Sequence, residues 1–91
     1  MLEVVLSNRF KKDLKLAARR GLPLDELNTV VDWLAAGQDL PDRNRDHALT
    51  GDYIGFRECH IRPDWLLIWV RDETAGVLYF VRTGTRSDLF D

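Results

Sequence analysis

Apolar residues recur at helical spacing in the first third of the chain and at strand spacing in the last third. Phe10, Leu14 and Ala17 fall at i, i+4 and i+7, which predicts a helix buried along that stripe. Ser7 or Asn8 supplies its N-cap and Gly21 the residue just past its end. Leu27, Val30, Val31 and Leu34 repeat the pattern and predict a second helix, with Pro23 and the acidic Asp25 and Glu26 at its start. Trp33 lies beside that stripe and Gly37 closes it. Ahead of both helices, residues 2–6 have room for a short strand favoured by Val4 and Val5. Residues 38–55 change to Asp, Arg, Asn, Gly and Pro and predict a long connection, which inside a small domain points to function or disorder.

After that connection the period becomes two. The stretch 56–62 puts Arg57, Cys59 and Ile61 on one face and Phe56, Glu58, His60 and Arg62 on the other, so the Cys59 face is expected under the helices and His60 on the open side. Pro63-Asp64 marks a turn. The stretch 65–71 is apolar on both faces and predicts a central strand, with Trp65, Leu67 and Trp69 expected to line the open surface. In the last strand Val77, Tyr79 and Val81 alternate with Leu78, Phe80 and Arg82. If the β-branched set faces the helices, Arg82 joins His60 on the open face. The expected fold is α+β: a two-helix hairpin packed on one face of a small, mostly antiparallel twisted sheet, in the order β-α-α-β-β-β over a single domain, residues 1–91.

A length of 91 residues allows one domain with one core. The net charge of −2 argues against nucleic-acid binding by bulk charge, though Arg9, Lys11, Lys12, Lys15, Arg19 and Arg20 make the first helix locally cationic. One cysteine excludes an internal disulfide and suits a reducing cytoplasm. The N-terminal residues lack the pattern of a signal peptide, and no stretch approaches a membrane span, so no membrane association is expected. One Cys and two His in different elements argue against a structural zinc site, and no metal-ligand spacing or cofactor motif is present.

The hairpin 57–90 brings His60, Asp64, Arg82, Arg86 and Phe90 toward one surface, with His47 entering from the long connection. Cleavage of RNA by its own 2′-hydroxyl needs a base, an acid and cations for the extra charge on phosphorus. Histidines serve the first two near neutral pH, and arginine's planar donors fit phosphate oxygens. Aromatic side chains such as Trp65 and Phe90 can stack on splayed bases. Taken singly, each has a structural explanation: His60 as a satisfied strand residue, Asp64 as a turn former, Arg82 paired to Glu58, Leu89-Phe90 as a hydrophobic plug. Their convergence in complementary types is what points to chemistry.

The phrases His47-x-Leu49-x-Gly51, then Arg57-x-Cys59-His60-Ile61-x-Pro63-Asp64-Trp65-Leu66-Leu67-Ile68, then Arg82-Thr83-Gly84-Thr85-x-Ser87-x-Leu89-Phe90 resemble the YafQ branch of the RelE/ParE toxin superfamily. The resemblance extends over nearly the whole chain. It implies a type II toxin that enters the ribosome, cuts mRNA there (a cleavage the side-chain inventory suits without a metal), and is held inactive by a cognate antitoxin, commonly a ribbon-helix-helix dimer. By position it implies acid–base roles for His47, His60 and Asp64, phosphate stabilisation by Arg82, and a site aromatic in Phe90. Lys11, Lys12 and Lys15 would then meet ribosomal RNA. Arg86 departs from the pattern, which has a histidine there; arginine stays protonated far above neutral pH. Either His47 or His60 carries the proton transfer, or Arg86 acts by charge, or activity is lower. The alternative reading is a superfamily member that acts by binding a protein such as DNA gyrase.

Overall fold

The computed structural model describes residues 2–90. Its elements run β1 (Glu3–Leu6), α1 (Asn8–Arg19), α2 (Leu24–Ala35), β2 (His47–Ala48), β3 (Arg57–Arg62), β4 (Trp65–Asp72), β5 (Val77–Gly84) and α3 (Arg86–Phe90). The strands form one sheet in the order β1-β5-β4-β3-β2, with β1 parallel to β5 and every other pair antiparallel. The two-helix hairpin and the antiparallel meander agree with the sequence expectation. Two small elements were not expected: the two-residue edge strand β2 and the short C-terminal helix α3. One-turn 3-10 helices at Asp42–Asn44 and Gly51–Tyr53 give shape to the long connection.

Ser7 shows how local chemistry fixes the layers. Its Oγ accepts from the Phe10 amide at 2.9 Å, capping α1, and donates to the Val81 carbonyl at 2.8 Å, which ties the helix start to β5. Helices α1 and α2 then bury Phe10, Ala17, Leu27, Val30 and Leu34 against one face of the sheet.

The phase of the sheet corrects one expectation. Trp65, Leu67 and Trp69 lie under the helices, packed with Phe10, Leu78 and Phe80, and Cys59 joins them as expected. The indoles are the largest apolar surfaces in the strand, and the side covered by the two helices is where they bury most area. The opposite face carries a smaller cluster of Leu66, Ile68 and Leu89, roofed by Leu49, Tyr53, Phe56 and Val81. The β-branched residues of β5 therefore face away from α1 and α2. Arg82 still shares the His60 face, for a different reason: the register slips between Trp69↔Phe80 and Ile68↔Arg82, leaving Val81 as an extra residue.

Candidate active site

Cross-strand register sets the site on the face opposite the two long helices. His47 on β2 lies opposite Glu58 on β3, Glu58 opposite Ile68 on β4, and Ile68 opposite Arg82 on β5. His60 heads the next row, opposite Leu66 and then Gly84. The two histidine rings stand 6.3 Å apart between centroids.

Each imidazole is oriented by the backbone. His47 Nδ1 is 2.6 Å from the Arg45 carbonyl, and His60 Nδ1 is 3.0 Å from the Pro63 carbonyl. A carbonyl only accepts, so both Nδ1 atoms carry hydrogen and the Nε2 atoms are left for other work. In His60 the ring nitrogen turned away from that carbonyl is Nε2. In His47 the Nε2 atom lies 3.2 Å from Glu58 Oε1. With Nδ1 already a donor, a single proton placed on either His47 Nε2 or the Glu58 carboxylate would join the two.

Glu58 is the residue that sequence reasoning missed. Its side chain is 1% exposed, its Oε2 has no hydrogen-bond partner among the described residues, and Arg86 Nη2 stands 4.0 Å from its Oε1. A buried carboxylate needs compensating charge, and His47 and Arg86 are the two groups placed to give it. The available signal was its alternation with His60 on the same face of β3.

The helix α3 delivers Arg86 and Phe90. Asp64 accepts from the Arg86 amide at 3.1 Å, so in this structure it anchors the start of α3. Within α3 the Arg86 guanidinium sits over the Phe90 ring at 5.7 Å, and Phe90, 41% exposed, meets Tyr53 edge-on at 5.7 Å. Thr85 and Asp88 form a reciprocal cap: the Thr85 amide donates to Asp88 Oδ2 and the Asp88 amide to Thr85 Oγ1. Arg20, the residue that caps the end of α1, adds two hydrogen bonds to the same carboxylate, 2.6 and 3.1 Å. Arg20, with help from the Thr85 amide, holds the Asp88 carboxyl well below the usual range.

Two expected members stand apart. Arg82 shares the face but lies two strands from His60 in the sheet order, and its guanidinium is clamped by Asp13 of α1 at 2.7 and 3.2 Å. That carboxylate, and then Tyr53, raise the Arg82 pKa. Trp65 is a correction: it is 2% exposed and its indole N–H donates to Thr83 Oγ1 at 3.0 Å, so it offers no open face to a base. Lys11, Lys12 and Lys15 are exposed on α1, in the layer on the other side of the sheet. Among the described residues, no three His, Cys, Asp or Glu side chains are grouped to hold a metal ion.

The description "Bacterial toxin of type II toxin-antitoxin system, YafQ" matches residues 2–91. The chain belongs to the YafQ toxin family. Among its relatives, the mRNA interferase toxin YafQ of Escherichia coli K12 is 36% identical over 89 residues, 97% of this chain and 95% of that one. A metal-bound toxin from Helicobacter pylori superposes with a TM-score of 0.93 at 41% identity, over 99% of this chain and all of that one. YafQ in the E. coli DinJ–YafQ complex gives 0.91 at 34% identity over all of both chains. The α+β architecture is thus that of YafQ structures. This YafQ-family chain holds His47 and Arg86 about a buried carboxylate, with His60 beside His47, Phe90 stacked under Arg86, and Arg82 engaged with α1.

Proposed function

We propose that this chain is an mRNA interferase that cuts message on the ribosome by attack of the RNA's own 2′-hydroxyl, with no metal taking part. The observation that carries the reading is the pair of imidazoles, 6.3 Å apart, each with Nδ1 tied to a carbonyl and Nε2 left for proton transfer. His60 Nε2 takes the 2′-hydroxyl proton as that oxygen attacks phosphorus. The bond from phosphorus to the 5′ oxygen breaks, and the proton shared by His47 and Glu58 passes to that oxygen. The products are a 2′,3′-cyclic phosphate and a 5′-hydroxyl. Arg86 stabilises the charge that builds on the phosphoryl oxygens. Arg82 assists if RNA draws it from Asp13, Asp64 holds Arg86 in place, and Phe90 seats a base.

By likeness to DinJ–YafQ, a cognate antitoxin, of the ribbon-helix-helix type as a dimer, keeps the toxin inactive. The place of action is the cytoplasm, where message is translated; no helix among the described residues is long and apolar enough to cross a membrane. Lys11, Lys12 and Lys15 supply contact with ribosomal RNA. The test is primer extension on a translated message with purified protein, with and without chelator. Cuts within codons that persist in chelator and vanish in His60→Ala are expected. Intact message, with gyrase inhibited instead, would establish the protein-binding alternative.

A further inference from the structure

Beside His60, and outside the row that holds Glu58, lies a hollow of about 330 Å³ lined by Arg43, Arg45, His60, Ile61, Arg62 and Pro63. A smaller one of about 140 Å³ adjoins it through Arg43 and Ile61 and reaches Asn44 and Glu26. Three arginines thus line a space that one of the two site histidines lines as well. Arg62 is partly neutralised by Glu26, at 2.6 and 3.1 Å, and Asp46 nearby is taken by Arg57 at 2.8 Å. Among the described residues, no carboxylate lies within ion-pair distance of Arg43 or Arg45. Arg45 is also the one non-glycine residue described in the left-handed backbone region, at φ 49°.

A second polar feature meets this basic wall. Asn44 is 5% exposed, and its Nδ2 donates to the His60 carbonyl at 2.8 Å, which leaves Oδ1 as a buried acceptor with no partner. Buried acceptors without partners are uncommon and call for a donor. We infer that the two hollows form a second ribose-phosphate subsite, which takes the nucleotide step next to the bond that is cut. Arg43 and Arg45 bind the phosphate, and Asn44 Oδ1, uncovered by a turn of its side chain into the hollow, accepts from the ribose 2′-hydroxyl, the group that separates RNA from DNA. The inference rests on the proposed RNA cleavage. An acidic protein segment is the lesser fit, because His60 lines the hollow and its occupant must be continuous with the reacting strand.

The test is fluorescence anisotropy of the full chain with short labelled single-stranded RNA and DNA of one sequence, across a salt series, beside the primer-extension assay. Arg43→Gln with Arg45→Gln is expected to weaken RNA binding roughly tenfold and to flatten the plot of log affinity against log salt by about 0.7 for the one phosphate lost. Arg43→Lys with Arg45→Lys retains the slope. Asn44→Ala narrows the preference for RNA over DNA. Unchanged affinity and slope in the Gln pair, while the wild-type chain binds and cuts message, overturn the subsite alone. Loss of antitoxin binding with RNA binding intact makes the hollow a protein contact and also overturns it. A wild-type chain that leaves message whole overturns the subsite together with the reading beneath it.

Discussion

At the scale of single residues, Glu58 explains why an imidazole and a guanidinium gather on an otherwise apolar strand surface. A neutral amide of the same shape cannot share a proton with His47, nor draw Arg86 inward. Glu58→Gln is expected to lower the rate of message cleavage by about two orders of magnitude, the range of one acid–base contribution. The thermal midpoint is expected to shift by only a few degrees, because the amide fills the same space; collapse of the midpoint instead would assign Glu58 to the fold. Trp65 gives the opposite pattern. Trp65→Phe removes the indole donor to Thr83 and leaves a gap in the core, and is expected to cost about 2 kcal/mol or more, read by denaturant melting. RNA affinity stays as it was, since the ring is shut beneath the helices.

At the scale of elements, α3 is the piece whose position depends most on charge. A helix of five residues has little stability of its own, so the Thr85–Asp88 cap and the Arg20 bonds decide whether it docks. Because Asp88's folded pKa is depressed, its contribution is complete above the unfolded carboxylate value of about 3.9 and is lost as pH falls through the folded one. Asp88→Asn is expected to loosen α3 by about 1 kcal/mol at neutral pH, seen as faster amide exchange at 86–90 while β4 stays protected. Gly84 belongs to the same arrangement: a Cβ there would lie 2.9 Å from Asp88 Oδ2. The helices α1 and α2 were legible because their apolar stripes have one period and clear caps. β2 was not, since two residues hold no periodicity and only the ladder to β3 defines them. The phase of β4 was equally hidden. A strand apolar on both faces carries no alternation to read, so the indoles' need for space settled it. Arg82 was placed on the correct face through an assumption about β5 that fails, and the extra residue at Val81 repairs it. Glu58 escaped because a carboxylate in a strand reads as solvent-facing until its 1% exposure and its neighbours His47 and Arg86 are known.

At the scale of the whole molecule, the parallel seam between β1 and β5 joins the two ends of the chain, so the sheet closes only when both are in place. The helix-facing core then behaves as one unit around Phe10 and Phe80, whose rings lie 5.6 Å apart. Phe80→Ala is expected to cost about 3–5 kcal/mol, a large part of the roughly 5–15 kcal/mol that holds such a domain. Denaturant unfolding would show it, and both α3 and the histidine pair would loosen together. Cys59 lies at 0% exposure within this same core, and burial pushes its thiol far above the ordinary value. In the closed sheet it is shielded from alkylating reagents, and only a parting of β3 from the helices would make it reactive. The lone sulfur thus serves as a built-in clock: its rate of labelling counts how often the toxin opens, and a bound antitoxin that grips the closed form should slow the tick.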